Sequence, residues 1–315
     1  MEIDVSIVIV NYNTHNFIKS CLDSIIAFTT GLNYEIIIVD NNSPDRCIEK
    51  FQNLYQSASF LFRDVNDGFG GGCNYGATRA HGKYIAFVNP DTTFINNALR
   101  ELFQIIEKNP GYGLVSGCFL NNNREITYSY NKFPGVYWEL IQNYFGAKLY
   151  VKNLIKNLNV SSQHNISLDV DWIYGACMFM KSNLFKEIGG FNSSYFLYYE
   201  DVDLQYRIKG KGYKVVCFPY IGIIHSVNSS IINMKGRFFS DFHYNRSKMI
   251  YFYNHTGNLV RNFIRIINIS AILFRMIKLP INSKYKNYRK ERFCSYISCL
   301  KLYIVGKERL LNSNI

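Results

Sequence analysis

Short runs of β-branched residues alternate with segments of helical periodicity through the first 120 residues, and this alternation most limits the possible folds. VSIVIV (Val5–Val10), YEIIIVD (Tyr34–Asp40) and KYIAFVNPD (Lys83–Asp91) are suited to strands that are buried on both faces. Between them, segments such as FIKSCLDSIIAF and NALRELFQIIEKNP carry apolar residues at helical spacing. Repeated β-α-β units of this kind predict an α/β fold with a mostly parallel central sheet and helices on both faces.

The second half of the chain is less regular. We expect one amphipathic helix near Trp138–Leu154. Residues 171–181 are expected to form either a strand pair or one long strand, with Gly175 as a break. SNLFKEIGGF predicts a short helix with Ser182 as its N-cap and Gly189 just after its end. The segment EDVDLQYRIKGKGYKVVCFP predicts a helix, a glycine-containing turn and a strand.

Charge is unevenly distributed along the 315 residues. Residues 235–315 contain sixteen Lys and Arg against three acidic residues, whereas residues 1–234 contain nineteen basic and twenty acidic residues. The chain therefore combines a nearly neutral body with a basic C-terminal region. A basic region of this kind favours a phosphate-bearing partner such as nucleic acid, anionic lipid or a diphosphate substrate.

The eight cysteines show no CxxC spacing, which argues against a zinc site or a disulfide framework. Most of them, including Cys118 and Cys177, lie in apolar patterns and are expected to be buried thiols of a reducing compartment. The N-terminal apolar run is too short for a signal peptide. No uninterrupted apolar stretch of about 18 residues occurs, so no transmembrane helix is predicted.

Polar side chains follow three successive predicted strands. NYNT follows the first strand, DNNSPD the second, and NPDTT the strand that ends near residue 88. One such end is ordinary turn chemistry, but three of them predict a shared ligand site, because ligands of open α/β sheets bind beyond the carboxyl ends of the strands. Asp91 is either a turn residue or a carboxylate ligand of Mg²⁺ or Mn²⁺, with substrate phosphates completing the shell.

Two further segments stand out. NDGFGGGCNYG (Asn66–Gly76) is glycine-rich but matches neither a P-loop nor a strand-linked GxGxxG, so by itself it indicates only a tight loop that enters a helix. FLYYEDVDLQYR places the carboxylates of Glu200, Asp201 and Asp203 directly behind apolar and aromatic residues. Carboxylates in such surroundings are paired, protonated or bound to a cation. Asp203 and Arg207 are four residues apart and predict a structural ion pair on one helix face.

These segments together resemble the family 2 glycosyltransferases of the GT-A fold. The resemblance covers roughly residues 4–255 and rests on an ordered set of motifs: VSIVIVNYN, IIIVDNNSPD, NDGFGGGCNYGATRAHGKYIAFVNPDT, DWIYGACMFMKSNLFKEIGGFN and YFLYYEDVDLQYRIKGKGYKV. Within the family the chain is most similar to the bacterial rhamnosyltransferase-like branch that builds O-antigen and other surface polysaccharides. The motifs are specific for the superfamily and much less so for the donor sugar.

The resemblance implies nucleotide-binding roles for residues at the first strand ends and the glycine-rich loop. Asn11 and Asn13 match the turn that faces the nucleotide, and Asp40 matches the acid that holds the nucleobase or ribose. The loop residues carried over in the same way are Asn66, Gly68, Gly72 and Asn74.

The resemblance also implies a divalent metal, Mg²⁺ or Mn²⁺. Asp91 matches the last acid of the family's DxD motif, but Asn89 stands where many members have the first Asp, which leaves one carboxylate fewer for the metal. His225 matches a histidine near the metal and the diphosphate; the alternative is an ordinary histidine at a partly buried strand end.

For catalysis, the resemblance assigns the base to Asp201, with Glu200 beside it in the site. An inverting transfer needs a base that takes the proton of the acceptor hydroxyl, and apolar surroundings raise the pKa of a carboxylate. Substrate contacts are predicted for Asn89, Gly175, Trp172 and Tyr199. Plain core packing is an open alternative for the two aromatic rings.

The implied organisation is a GT-A catalytic domain over residues 1–235, with a nucleotide-sugar half of about 1–118 and an acceptor half of about 119–235. Residues 236–315 form a basic helical region. The implied reaction moves L-rhamnose from dTDP-L-rhamnose to a polyprenyl-diphosphate-linked glycan at the cytoplasmic face of the membrane. The alternative donors are UDP-hexose, UDP-GlcNAc and a galactofuranose nucleotide.

The basic region leaves several possibilities open. Its segment NLVRNFIRIINISAILFRMIKLPI mixes basic and apolar residues, which suits helices in a membrane interface, with a nucleic-acid surface as the alternative. The resemblance favours an anionic membrane surface, because the usual acceptors of the family are polyprenyl-diphosphate-linked sugars, and no nucleic-acid partner is expected. A helix pair packed on the body is the third reading. A chain of this fold could also be a non-catalytic binding module or a nucleotidyl transferase, but the Asn89-Pro90-Asp91 and Glu200-Asp201 motifs favour sugar transfer.

Overall fold

The computed structural model describes residues 2–44, 48–226, 234–282 and 285–311. The chain divides into two compact units. An α/β unit comprises Met1–Phe133, Val151–Ser193 and Glu200–Ser230, and a helical unit comprises Pro134–Tyr150, Ser194–Tyr199 and Ile231–Ile315.

The α/β unit contains a sheet of nine strands among its described residues. The eleven strands of the described chain are β1 (Val5–Asn11), β2 (Tyr34–Asp40), β3 (Ala58–Phe62), β4 (Tyr84–Val88), β5 (Thr92–Phe94), β6 (Tyr112–Leu120), β7 (Tyr130–Asn131), β8 (Leu168–Val170), β9 (Trp172–Ile173), β10 (Cys177–Lys181) and β11 (Lys214–His225). The order of the main sheet is β3-β2-β1-β4-β10-β6-β11-β5, with β8 beside β11, and β7 pairs with β9 separately. Strands β1 to β4, β6 and β11 share one direction, so the sheet is mostly parallel.

The helices of the chain cover the two faces of this sheet and build the helical unit. They are α1 (His15–Phe28), α2 (Glu49–Gln52), α3 (Gly68–Ala77), α4 (Ala98–Lys108), α5 (Val136–Leu140), α6 (Lys148–Gln163), α7 (Ser182–Glu187), α8 (Glu200–Gly210), α9 (Met234–His255), α10 (Asn258–Lys278), α11 (Arg289–Ile304) and α12 (Lys307–Leu311). Every residue of β1 is buried, which is why its sequence is a continuous apolar run rather than an alternating one.

Strand pairing brings the polar strand ends together. β1 pairs with both β2 and β4, and Asn11 lies opposite Asp40 in the register. The three predicted polar ends therefore belong to adjacent parallel strands. This edge of the sheet carries the candidate site.

Three predictions about local structure are wrong. The single helix near Trp138–Leu154 is instead α5, a π-helical turn over Ile141–Phe145 and α6, separated at Gly146, whose φ is 78°. The glycine run 68–72 is not a loop before α3 but its first five residues, because α3 begins at Gly68. Ser182 does not cap α7: it is the first helical residue, and its hydroxyl donates to the Gly82 carbonyl oxygen at 2.6 Å.

Other predictions are confirmed. Of the two alternatives for 171–181, the strand pair is the one observed, and 200–225 forms a helix, a turn and a long strand. Cys118 and Cys177 are buried thiols. In the described residues, none of the helices combines the length and the apolar character needed to span a bilayer. The boundary at residue 235 stays a prediction. The C-terminal part of the helical unit begins at Ile231, and the unit also includes residues 134–150 and 194–199.

Candidate active site

The first strand end is fixed by a buried hydrogen-bond network. The Asn11 side-chain amide donates to Asp40 Oδ2 at 2.8 Å and to Ser43 Oγ at 3.1 Å, while Asn11 Oδ1 accepts from the Thr14 hydroxyl at 2.8 Å. Asp40 Oδ1 accepts from the Ser43 backbone N–H at 2.7 Å. Asn11 and Asp40 are each 1% exposed, so most of their polar atoms already have protein partners.

Asn13 follows this network in a conformation that favours Asn or Gly. Its φ is 54°, and its backbone N–H donates to Ser43 Oγ at 3.1 Å. The Asn13 side chain is exposed, unlike that of Asn11. Of the two predicted nucleotide-side asparagines, Asn13 is the one whose side chain is available to a ligand.

The glycine-rich segment is joined to the second strand end through Asn41. The Asn41 amide donates to Asn66 Oδ1 at 2.8 Å and to the Gly68 carbonyl oxygen at 2.9 Å, and Asn66 Oδ1 also accepts from the Gly68 N–H at 3.0 Å. Gly68 has a φ of 86°, which only glycine adopts without strain. These contacts fix the entry into α3 beside Asp40.

Gly72 and Asn74 have structural partners inside the α/β unit. A Cβ on Gly72 would lie 2.6 Å from Val10 Cγ1, so this glycine allows α3 to approach β1. The Asn74 side chain holds the backbone of Phe191 from both sides: its amide donates to the carbonyl oxygen at 2.8 Å and its Oδ1 accepts from the N–H at 2.9 Å. Their predicted nucleotide contacts remain predictions.

The Asn-Pro-Asp turn brings a carboxylate and an imidazole together. Asp91 Oδ1 lies 3.3 Å from His225 Nε2, and the two side chains are only 13% and 17% exposed. Antiparallel pairing of β5 with β11 sets this contact, because Thr92 lies opposite His225. Sequence reasoning missed β5, whose three residues are too few for a periodicity signal.

One dipeptide connects this turn to the predicted catalytic acid. The Ala176 carbonyl oxygen accepts from the Asn89 backbone N–H at 2.9 Å and from the Thr92 hydroxyl at 3.2 Å. The preceding residue, Gly175, donates its backbone N–H to Asp201 Oδ2 at 3.0 Å. The structure thus brings Asn89, Asp91, His225, Gly175 and Asp201 into one neighbourhood.

The two adjacent carboxyl groups at the start of α8 differ in their surroundings. Asp201 accepts hydrogen bonds from Gly175 and from its neighbour Val202, at 3.0 and 2.8 Å. Glu200 is buried against α3, and its Oε2 has no hydrogen-bond partner among the described residues. Burial raises the pKa of both groups, and the charge of Asp201 raises the pKa of Glu200 further. The two backbone N–H groups stabilise the charged form of Asp201, so Glu200 is the group of the pair with the more strongly raised pKa.

Gln205 supports this arrangement, and sequence reasoning missed it. Its side chain is fully buried; its Oε1 accepts from the Ile173 N–H at 2.7 Å, and its amide donates to the Ile173 carbonyl oxygen at 2.7 Å and to that of Asp201 at 3.0 Å. It thereby fixes β9, two residues before Gly175, to the first turn of α8. The sequence shows Gln205 only as one polar residue among mixed neighbours on a helix, and this gives no sign that its side chain is buried.

The remaining predicted residues have partners of their own. Asp203 and Arg207 form the expected ion pair at 2.8 Å, and Arg207 also donates to the carbonyl oxygens of Ile188 and Gly190. Trp172 is 8% exposed and donates its ring N–H to the Lys132 carbonyl oxygen at 2.9 Å. Tyr199 belongs to the helical unit, where it is 4% exposed. Low exposure favours the core-packing alternative for both rings.

Comparison with known proteins identifies the chain. The model of "Glycosyl transferase family 2" matches residues 6–183. The chain belongs to this family. This glycosyltransferase is 25% identical to the low-salt glycan biosynthesis hexosyltransferase Agl10 of Haloferax volcanii over 71% of its own length and 67% of the relative's. It is also 25% identical to the rhamnosyltransferase WbbL of Escherichia coli K12, over 70% of its own length and 83% of the relative's.

Solved structures confirm the GT-A fold of the glycosyltransferase. The mannosyltransferase PcManGT from Pyrobaculum calidifontis, in complex with GDP-Man and Mn²⁺, superposes with a TM-score of 0.58 at 13% identity, over 98% of this chain and 88% of the other. GalNAc-T7 with UDP, GalNAc and Mn²⁺ superposes with a TM-score of 0.55 at 14% identity, over 79% of this chain and 50% of the other.

Proposed function

We propose that this glycosyltransferase moves a sugar from a nucleoside diphosphate donor to a hydroxyl group with inversion, and that Asp201 is the base. The observation that carries the proposal is the Gly175-Ala176 dipeptide, which contacts Asp201 on one side and the Asn89–Asp91 turn on the other. An inverting transfer needs a base on one side of the anomeric carbon and, on the other, a cation that stabilises the leaving diphosphate, which the Asp91 carboxylate would hold.

In the proposed step, the acceptor oxygen forms a bond to the anomeric carbon while the bond from that carbon to the diphosphate oxygen breaks. The acceptor proton passes to the Asp201 carboxylate, and the nucleoside diphosphate leaves with the electron pair. The Gly175 N–H orients Asp201 through Oδ2. Glu200, whose pKa burial raises, holds its own proton and keeps the negative charge on Asp201.

Asp91 and His225 would hold the metal, Mg²⁺ or Mn²⁺. Their oxygen and nitrogen donors lie 3.3 Å apart and are of types that such cations accept. No cluster of three or more His, Cys, Asp or Glu that could hold a metal occurs in the described part of the chain. In this proposal the donor diphosphate supplies further ligands. When bound, the metal neutralises charge on the departing diphosphate.

For the donor, we propose that Asn13, Asp40 and the Asn66–Gly72 segment face the nucleotide. The best single candidate is dTDP-L-rhamnose, because a rhamnosyltransferase is among the relatives that share most of their length with this chain. UDP-hexoses, UDP-GlcNAc and a galactofuranose nucleotide are the alternatives. The proposed acceptor is a polyprenyl-diphosphate-linked glycan of a surface polysaccharide.

The membrane partner is supported by one face of α10. Leu259, Phe263, Ile266, Leu273, Phe274 and Ile277 are between 47% and 77% exposed. Their spacing of three and four residues places them on one stripe of the helix, about 27 Å long at 1.5 Å per residue. Residues 258–290 contain eight Lys and Arg and no acidic residue. An apolar stripe without nearby acids suits the interface of an anionic membrane.

Thermal unfolding with a panel of nucleotide sugars, with and without Mn²⁺, tests the proposal. The donor raises the melting temperature of the native state, and Mn²⁺ increases that shift. In Asp91→Ala the increase from Mn²⁺ disappears, whereas Asp201→Asn retains donor binding but loses sugar transfer by several orders of magnitude. Near wild-type transfer by Asp201→Asn, or no stabilisation by any nucleotide sugar, contradicts the proposal.

A further inference from the structure

The helical unit contains a half-open cavity, lined largely by polar residues, that the proposed reaction does not use. The cavity has a volume of about 230 Å³ and lies between α9, α10, α11 and the π-helical turn 141–145. Two apolar side chains, Ile272 and Cys299, are among its lining residues, and the others are charged, amide, hydroxyl or tyrosine groups. A space between helices is ordinarily filled by apolar side chains, so this lining needs an explanation.

The cavity carries an excess of positive charge. Lys248 pairs with Glu139 at 2.9 Å, and both side chains are almost completely buried. Arg292 pairs with Asp241. Arg275 lines the same cavity from α10, and it forms no ion pair with any carboxylate of the described residues; its guanidinium donates to Asn143 Oδ1 at 2.8 Å. Three cations thus meet two carboxylates, which leaves one uncompensated positive charge at an exposed arginine.

Neutral hydrogen-bonding groups surround these charges. The Asn268 side chain bonds both Lys248 and Glu139, at 2.8 Å each. Gln142 and Asn245 add two further amides to the lining. The Arg292 guanidinium lies over the ring of Tyr296, with Cζ 4.4 Å from the ring centroid. These amides already bond protein groups. The Ser295 hydroxyl, by contrast, lines the cavity and is buried without a hydrogen-bond partner among the described residues. Arginine and hydroxyl groups are groups that bind hydroxylated ligands with a negative charge.

Stability alone does not explain this set of groups. Burying an ion pair costs several kcal/mol per ion before its attraction is counted, and an apolar replacement is often as stable. Arg292 Nε is also buried without a partner among the described residues. A buried donor without a partner beside a cavity indicates that a ligand or water completes its hydrogen bonds.

We propose that this cavity binds a small hydroxylated anion, namely a monosaccharide that carries one phosphate or one carboxylate group. The anionic group pairs with Arg275, and the hydroxyl groups bond Arg292 Nε and Ser295 Oγ, two buried atoms of the lining that have no hydrogen-bond partner among the described residues. The cavity is smaller than the about 300 to 1,000 Å³ of sites for drug-sized ligands, which fits a single sugar ring. The proposal does not rest on the transferase reaction, whose residues Asp91 and Asp201 lie in the α/β unit.

Isothermal titration of the full chain with four probes tests the site. We expect saturable binding of glucose 6-phosphate or glucuronate, and much weaker binding of glucose and of inorganic phosphate. The sugar anion that binds more tightly shows whether the charged group of the ligand is a phosphate or a carboxylate. Arg275→Gln weakens this binding at least about ten-fold, the loss expected for one charge-assisted hydrogen bond. Lys278→Gln is the matched control, because Lys278 is exposed on the same helix outside the cavity lining.

A second variant locates the site. Asp91→Ala should bind the sugar anion as tightly as the wild type, and Arg275→Gln should still bind the nucleotide sugar that stabilises the wild type, which shows that its fold is intact. The proposal is overturned if neither sugar anion binds or if glucose or phosphate binds equally well. It is also overturned if Arg275→Gln binds like Lys278→Gln. None of these results depends on whether sugar transfer occurs.

Discussion

Replacing Gln205 by Met tests how the site is positioned. Methionine keeps the length and most of the volume of glutamine, so the change removes hydrogen bonds without opening a cavity. It leaves the backbone N–H and carbonyl group of Ile173 without their partners at 2.7 Å. An unsatisfied buried polar group costs about 1–3 kcal/mol. We therefore expect the free energy of unfolding to fall by about 2–4 kcal/mol.

Urea unfolding followed by tryptophan fluorescence measures this loss, because Trp172 lies directly before Ile173. Gln163→Ala, at an exposed glutamine near the end of α6, is the control and should change stability by less than about 0.5 kcal/mol. A change of similar size in the two variants refutes the reasoning.

The pH dependence of sugar transfer by Gln205→Met is a second test of whether Gln205 positions Asp201. It would not change if Gln205 only stabilised the fold. If β9 shifts, the Gly175 N–H no longer holds Asp201 Oδ2, which it reaches at 3.0 Å in the wild type. Loss of a hydrogen bond to the charged form raises the pKa of Asp201. The acid limb of the pH–rate profile of Gln205→Met should then move up by about one pH unit. An unmoved limb means that Gln205 stabilises the fold without tuning the base.

Three further predictions concern stability and membrane binding. Because burial raises the pKa of Glu200 above its ordinary value of 4.5, its stabilising contribution is complete below pH 4.5 and is lost as pH rises. Between pH 5 and 8 the free energy of unfolding of Glu200→Gln should therefore rise by more than about 1 kcal/mol relative to that of the wild type. A difference between the two proteins that stays constant with pH contradicts this. Gly72→Ala places a Cβ 2.6 Å from Val10, so its free energy of unfolding in urea should be about 1–3 kcal/mol lower than that of the wild type. Gly111→Ala, whose Cβ would have no atom within 4 Å, should not lose stability. Equal losses in the two variants would contradict the close packing of α3 on β1. The double variant Ile266→Ser, Ile277→Ser should bind vesicles containing phosphatidylglycerol about ten-fold or more weakly in co-sedimentation. Ile304→Ser, at a similarly exposed isoleucine on α11, should bind them like the wild type. Unchanged binding by the double variant would show that α10 is not the face that contacts the membrane.

Strong periodic patterns allowed the fold of the α/β unit to be predicted. β1, β2 and β4 are buried on both faces and so left continuous apolar runs, and their parallel pairing follows from the helices between them. The polar residues after these strands were predicted to share one site, and Asn11 and Asp40 are indeed hydrogen-bonded. The family followed from the order of the motifs rather than from any single spacing.

Other features leave little or no periodic signal. β5 has three residues, and its position depends on pairing with β11, more than 120 residues later. The π-helical turn 141–145 departs from the helical period that the sequence pattern assumes. Asn74 and Gln205 act on the backbones of Phe191 and Ile173, which only the tertiary structure brings near them. Side chains whose partners are distant backbone groups cannot be assigned from local patterns.

The short segment Ser194–Tyr199 limits how chimeras can be built between this chain and its relatives. It belongs to the helical unit, where Ser247 donates to the Leu197 carbonyl oxygen at 2.8 Å and Tyr199 packs against Tyr251. Tyr198 and Tyr199 both have positive φ, 65° and 67°, a backbone conformation that costs about 1–3 kcal/mol per residue unless its surroundings enforce it. The next residue in the chain is Glu200. A chimera that takes its C-terminal helices from another family member must therefore take residues 194–199 from the same parent, or the backbone that leads into the two acids loses the contacts that hold its shape.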